Sequence, residues 1–160
     1  MNRADNWQTP KWLFNWIEET MGVTFTLDPC TIEENPLGTE KFYTVKEDGL
    51  KQPWGGETVF VNPPHSRDLI PLWTLKCLEE ADADTLVVGL LPLRTAKWFE
   101  ASVLGAWNPM ILVDLADWDC LSVGQVGIHF LIKRVRYVDP LTGLPVKQSP
   151  YFDSFIAVWR

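Results

Sequence analysis

The chain has 160 residues, 46% of them hydrophobic and 22% charged, which describes one globular domain with a sizeable core and excludes a disordered segment. A formal net charge of −7 excludes a surface that is basic all round and leaves any contact with nucleic acid to a local strip. No apolar run approaches the ~18 residues of a membrane span and the N-terminus is polar, so neither a span nor a signal peptide is expected and the reading is a soluble, cytoplasmic protein. Cys30, Cys77 and Cys120 stand far apart without a C-x-x-C pair, so neither a disulfide framework nor a zinc site is expected.

In chain order, Asn6-Trp7-Gln8-Thr9-Pro10 leads into a helix over 11–21. Thr9 suits the N-cap and Pro10 the first turn; Leu13, Trp16 and Ile17 give one apolar face, and Gly22 ends the helix. Gln8 and Thr9 also place polar groups at a helix N-terminus, where a carboxylate is welcome. Residues 23–27 alternate branched and aromatic side chains, read as a strand, and end on Asp28-Pro29-Cys30. An acidic residue at the carboxyl end of an early strand is well placed for a ligand in the crevice of an α/β sheet, although such an aspartate also serves simply as a cap. Residues 31–35 read as a short helical turn and 41–44 as a short strand. Asp48 lies in an Asp-Gly turn, from which it can accept a hydrogen bond from an amine of a nucleoside.

The centre of the chain is Val59-Phe60-Val61-Asn62-Pro63-Pro64-His65-Ser66. The first three residues form a short buried strand. Two prolines end it, because neither donates a backbone hydrogen bond, and the first holds Asn62 extended. The product is a stiff strand-end loop that offers the Asn62 amide, backbone carbonyls and the flat ring of His65. Such a loop suits an exocyclic amine such as N6 of adenine. The Asn62 carbonyl and the Pro63 carbonyl can accept its two hydrogens, freeing the nitrogen lone pair for an electrophilic methyl group with little reorganisation. A planar side chain after the prolines can stack on a base turned out of a duplex.

Residues 67–83 read as a helix with Pro71 in its first turn, and 85–91, the most apolar run, as a central strand ending in Pro92-Leu93-Arg94-Thr95. A helix over 96–104, a strand over 110–115, an irregular stretch over 117–124, a strand over 127–138 and a closing strand over 154–159 follow. Lys133-Arg134-Val135-Arg136 is where basic residues gather; with Arg94 it is the candidate nucleic-acid contact. The nine tryptophans read mainly as core, with some available to line a pocket for a flat ligand. The pattern of β-α alternation followed by a strand-rich tail gives an α/β three-layer sheet, mostly parallel, with antiparallel strands at the C-terminal end.

Taken together, five segments resemble the phage DNA N6-adenine methyltransferase family. They are Asp5 to Pro10 ahead of the first helix, Phe25-Thr26-Leu27-Asp28 with Asn35, Asp48-Gly49-Leu50 before Trp54, Asn62-Pro63-Pro64-His65-Ser66, and Leu91-Pro92-Leu93-Arg94-Thr95 before Trp98-Phe99. The resemblance implies a single domain over 1–160 with a Rossmann-like methyltransferase sheet, S-adenosylmethionine as methyl donor, adenine in DNA as substrate and no metal. It implies that Trp7, Gln8, Thr9, Pro10 and Asp28 lie along the methionine end of the cofactor and Asp48 near its adenosine. Asn62, Pro63 and Pro64 would hold the target amine, and His65 would stack on the base. The family pattern has Tyr or Phe at that last position, so His65 is a departure, and the small number of basic residues is another. Two other functions are weighed on these departures: methylation of glutamine amides in proteins, and a cofactor-binding domain without transfer.

Overall fold

The computed structural model describes residues 3–93, 97, 99, 111–131, 133–147 and 153–160. The hydrophobic alternation of the strands separates two cores, one on each face of a sheet. On β3 (Thr58–Val61), Val59 and Val61 turn to one face and Phe60 to the other. On β4 (Leu86–Pro92), Val87 and Leu91 join the first face and Val88 and Leu90 the second. On β7 (Ser154–Trp159), Phe155, Ala157 and Trp159 oppose Ile156 and Val158 in the same way. Every one of these side chains is almost fully buried, so a sheet covered on both faces follows.

The first face is covered by α2 (Ile70–Glu80) through Ile70, Trp73 and Cys77. The second is covered by α1 (Lys11–Met21) through Leu13, Phe14, Ile17 and Met21, with the 3-10 segment Leu115–Cys120 beside it. Each large apolar side chain so buried contributes roughly 1.5–3 kcal/mol. The remaining strands are β1 (Leu27–Asp28), β2 (Lys41–Phe42), β5 (Ile111–Leu112) and β6 (Val126–Phe130). The sheet order is β2-β1-β3-β4-β7-β6-β5. The pairs β1–β2, β1–β3, β3–β4 and β5–β6 are parallel. The antiparallel pairings expected at the C-terminal end are those that β7 makes with β4 and β6. The mostly parallel three-layer α/β fold is therefore present, with two-residue strands at both edges, a length that discourages pairing with another chain.

Three local expectations are corrected. Thr9 is not the N-cap of α1; Pro10 is, at φ −60° and ψ 132°, and no side chain caps the helix. The Pro10 carbonyl accepts from Leu13 and Phe14, so the helix begins one residue later than a Thr9 cap requires and Thr9 is buried instead. The strand over 23–27 shrinks to Leu27–Asp28, because Glu18 of α1 holds the Val23 N–H on its carbonyl and the Phe25 N–H on its side chain. The strand over 127–138 stops at Phe130, because its last partner on β7 is Phe155 and β7 begins one residue earlier. The expected helix over 96–104 lies almost wholly outside the described residues. Among the described residues no helix is long and apolar enough to cross a membrane.

Gly89 shows how tightly the first face is packed. A Cβ there would lie 2.8 Å from the Trp159 ring, which is itself buried. Gly89→Ala therefore overpacks the core and should lower stability by about 1–3 kcal/mol. Urea unfolding checks this; an unchanged midpoint would mean that Trp159 has room to move.

Candidate active site

In the sheet order, β1 leads to β2 on one side and β3 leads to β4 on the other, so the topological switch point lies between β1 and β3. Open α/β sheets bind ligands outside the carboxyl ends of the strands at such a point. Asp28 is the last residue of β1 and Asn62 directly follows β3, so the two candidates flank this crevice.

Asn62 is held in one orientation. Its Nδ2 donates to the Trp7 carbonyl at 2.9 Å, which directs Oδ1 the other way. Oδ1 is buried and has no hydrogen-bond partner among the described residues. A buried acceptor left unsatisfied costs about 1–3 kcal/mol, and one that persists is a reactive position for an incoming donor. The same N-terminal strap is tied down at further points. Asp5 Oδ1 accepts from the Ser66 N–H at 2.9 Å, and Gln8 exchanges two 2.8 Å backbone hydrogen bonds with Val138. Thr9, next along, is 4% exposed with Oγ1 buried and unpartnered among the described residues.

His65 is packed inward. It is 5% exposed and meets the Tyr137 ring edge-to-face at 5.6 Å, while Trp7 stacks on Tyr137 at 5.8 Å. Tyr137 is fully buried, its hydroxyl paired with Ser154 Oγ at 3.0 Å, and burial pushes its phenol well above the usual range. The ring expected to project from the loop is thus seated beneath it.

Asp28 is 3% exposed, and Oδ1 accepts from the Cys30 N–H at 3.1 Å. Burial outweighs this hydrogen bond and pushes the carboxyl up to about 7. Burial likewise pushes the Cys30 thiol up, with the charges of Asp28, Cys77 and Asp5 adding to it. Asp48 reaches the loop after Asp28 through the next residue. A Cβ on Gly49 would lie 2.0 Å from the Pro29 carbonyl oxygen, so only glycine lets the two loops touch. Trp54, fully buried, donates from Nε1 to the Gly49 carbonyl at 3.0 Å and stacks on Trp73 of α2, which holds the turn in place. Asp48 itself sits at φ 58° and pairs with Lys51 at 2.8 Å.

Asn62, Pro63, Trp7, Gln8, Thr9, Asp28 and Asp48 are therefore gathered at the carboxyl ends of β1 and β3. Lys133, Arg134 and Arg136 follow the carboxyl end of β6, exposed, on the segment that continues to Tyr137. Arg134 is held by Asp153 at 3.0 Å. Arg94 lies outside the described residues. The supporting roles of Asp5, Gly49, Trp54 and Tyr137 are not visible in the residues taken singly: the Asp-Gly turn is a local signal, the Trp54–Gly49 bond spans five residues, and the contacts of Asp5, Gly49 with Pro29, and Tyr137 cross long sequence separations. Among the described residues no group of three His, Cys, Asp or Glu side chains is placed to hold a metal ion.

Comparison with known proteins gives a consistent picture. The family model described as DNA N-6-adenine-methyltransferase (Dam) matches residues 1–114. A DNA N-6-adenine-methyltransferase of Haemophilus phage HP1 (strain HP1c1) is 31% identical over 104 residues, covering 64% of this chain and 58% of that protein. The chain thus spans less than two thirds of the length of this curated relative. No solved structure matches the chain significantly.

The Asp28 carboxyl titrates near 7 in the fold against an ordinary value of 3.8, so between these pH values the folded chain binds the proton more tightly than the unfolded one. Stability should then fall as pH rises from about 4 to 7 and level off above. Asp28→Asn should remove this part of the slope and be the more stable form at pH 8. Thermal melts of both forms at pH 5 and 8 check it; an unchanged slope in the variant would place the titration elsewhere.

Proposed function

Because the chain belongs to the DNA N-6-adenine-methyltransferase family, we propose that residues 1–160 form one S-adenosylmethionine-dependent domain that methylates the exocyclic amine of adenine in DNA. The observation that carries this reading is the Asn62 amide, turned by the Trp7 carbonyl so that Oδ1 stands as a buried acceptor. Oδ1 and the Pro63 carbonyl take the two hydrogens of the amine, which draws the nitrogen towards a tetrahedral form and exposes its lone pair. The interaction strengthens as positive charge develops on the nitrogen, so it lowers the barrier and not only the ground state. The proton then leaves to water.

The cofactor supplies an electrophilic methyl group on a sulfonium sulfur. The residues beside Asn62 fit such a ligand. Thr9 has a buried hydroxyl to offer a carboxylate, and Asp28 has a buried carboxylate to accept from an ammonium group. An ammonium against Asp28 would replace the missing solvent and bring its carboxyl back down. Trp7, Gln8 and Pro10 complete that wall, and Asp48 offers a hydrogen-bond acceptor to the nucleoside end. Pro64 keeps the loop rigid. His65 would stack on the base, for which its ring must leave Tyr137. Arg94, Lys133, Arg134 and Arg136 would meet phosphates, and the protein would work in the cytoplasm of the host cell of a phage.

Incubation with methyl-labelled cofactor and unmethylated DNA, followed by digestion to nucleosides, tests the reading. Label should appear in N6-methyladenine. Label in protein instead would indicate glutamine methylation, and cofactor binding without transfer would indicate a domain that has lost activity, a reading that the inward seat of His65 favours. Asn62→Ala should abolish the label while calorimetry shows cofactor affinity nearly unchanged; transfer near the parental rate would reduce the motif to a turn. His65→Phe keeps a ring and loses both nitrogens. It should retain transfer, whereas a stacking role is lost if His65→Phe is as damaging as His65→Ala, which should cost roughly ten- to a hundredfold.

A further inference from the structure

A hairpin stands beside the site, and the proposed reaction leaves it without a role. Val138 bridges Gln8 on one side and Pro145 on the other, so the hairpin grows directly from the strap that orients Asn62. Its loop is stiff. Asp139 N–H donates to the Leu144 carbonyl and Gly143 N–H to the Asp139 carbonyl, each at 2.9 Å. Asp139 Oδ1 accepts from the Leu141 N–H at 2.9 Å, Thr142 Oγ1 accepts from the Leu144 N–H at 3.3 Å, and Gly143 takes the left-handed turn at φ 65°. The polar groups are spent on the loop itself, and the apolar side chains point out: Leu141 is 88% exposed and Leu144 64%. Turn tips ordinarily carry small polar residues, so two outward leucines on a hydrogen-bonded loop depart from the usual turn composition.

The surroundings point to a partner. Lys133 and Arg136 before the hairpin and Lys147 after it are exposed, and Arg134 is exposed beside Asp153, so cationic residues precede and follow the hairpin in a chain of net charge −7. Leu141 also borders an open cavity of about 130 Å³ with Asn6, Trp7, Asp139 and Pro140. Trp7 is the residue whose carbonyl holds Asn62.

We propose that Leu141, backed by Leu144, is a wedge that enters the base stack of duplex DNA where the target base turns out towards Asn62. Adenine stacked in a duplex cannot reach the buried Oδ1, and unstacking costs a few kcal/mol per step, which an apolar side chain inserted in the gap offsets. The flanking lysines and arginines hold the phosphates on either side. The proposal rests on the adenine-methyltransferase reading above.

The test compares the parent, Leu141→Ser and Leu141→Phe on one oligonucleotide, offered as duplex and as single strand. N6-methyladenine is counted after digestion, and 2-aminopurine at the target position reports extrusion by its fluorescence. Leu141→Ser should lower the duplex-to-single-strand rate ratio at least about tenfold and lose the fluorescence rise, while Leu141→Phe keeps both. An unchanged ratio and fluorescence in Leu141→Ser, with the parent active, overturns the wedge and leaves the methyltransferase reading standing. An equal loss on both substrates also overturns it, since a wedge has no work to do on a single strand. A parent that transfers no methyl to adenine in either form overturns the reading itself, and the wedge with it.

Discussion

The 2.9 Å hydrogen bond from the Asn62 amide to the Trp7 carbonyl joins the middle of the chain to its beginning, and the rest of the site depends on it. An amide that rotates offers a donor as readily as an acceptor. Fixing Nδ2 on a carbonyl, which can only accept, makes the other end an acceptor without ambiguity. The constraint is relayed outward. Trp7 keeps its place because its ring lies on Tyr137 and the next residue is paired on both backbone groups with Val138, while Asp5 ties the far side of the Pro-Pro loop through Ser66.

The sheet supplies the frame for this arrangement. β3 and β4 have apolar side chains on both faces, so α1 and α2 can be buried on opposite sides and the carboxyl ends of β1 and β3 are left as the open edge. That edge is finished by two contacts with no slack. Gly49 lies against the Pro29 carbonyl, and Trp54 fastens the Gly49 carbonyl beneath α2. The Asp28 and Asp48 loops are thereby kept together although neither aspartate bonds to the other in any described contact.

The burial of Asp28 and of the Asn62 and Thr9 polar atoms has a cost in stability that a packed core would not carry. Such costs tend to gather at functional sites, where the missing partner is a ligand. His65 fits the same logic differently. Its ring fills space against Tyr137, and the loop that carries it is held from the other side by Asp5.

Much of this was legible in the sequence. Short apolar runs marked β3 and β4, apolar spacing and Gly22 marked α1, and consecutive prolines marked the end of β3 at Asn62, because these signals arise within a few residues of one another. The motif set likewise pointed to Asp28, Asp48 and Asn62. What the tertiary structure alone decided lies in contacts between distant segments. Thr9 became a buried hydroxyl when Pro10 took the N-cap and the helix started at Lys11; His65 turned inward against the ring of Tyr137, 72 positions later. The run after Phe130 left the sheet where β7 reaches only one residue, Ser154, beyond its last pair with β6. None of these is encoded locally: each depends on which surface another part of the chain brings to that position, and that is settled only when the whole core packs.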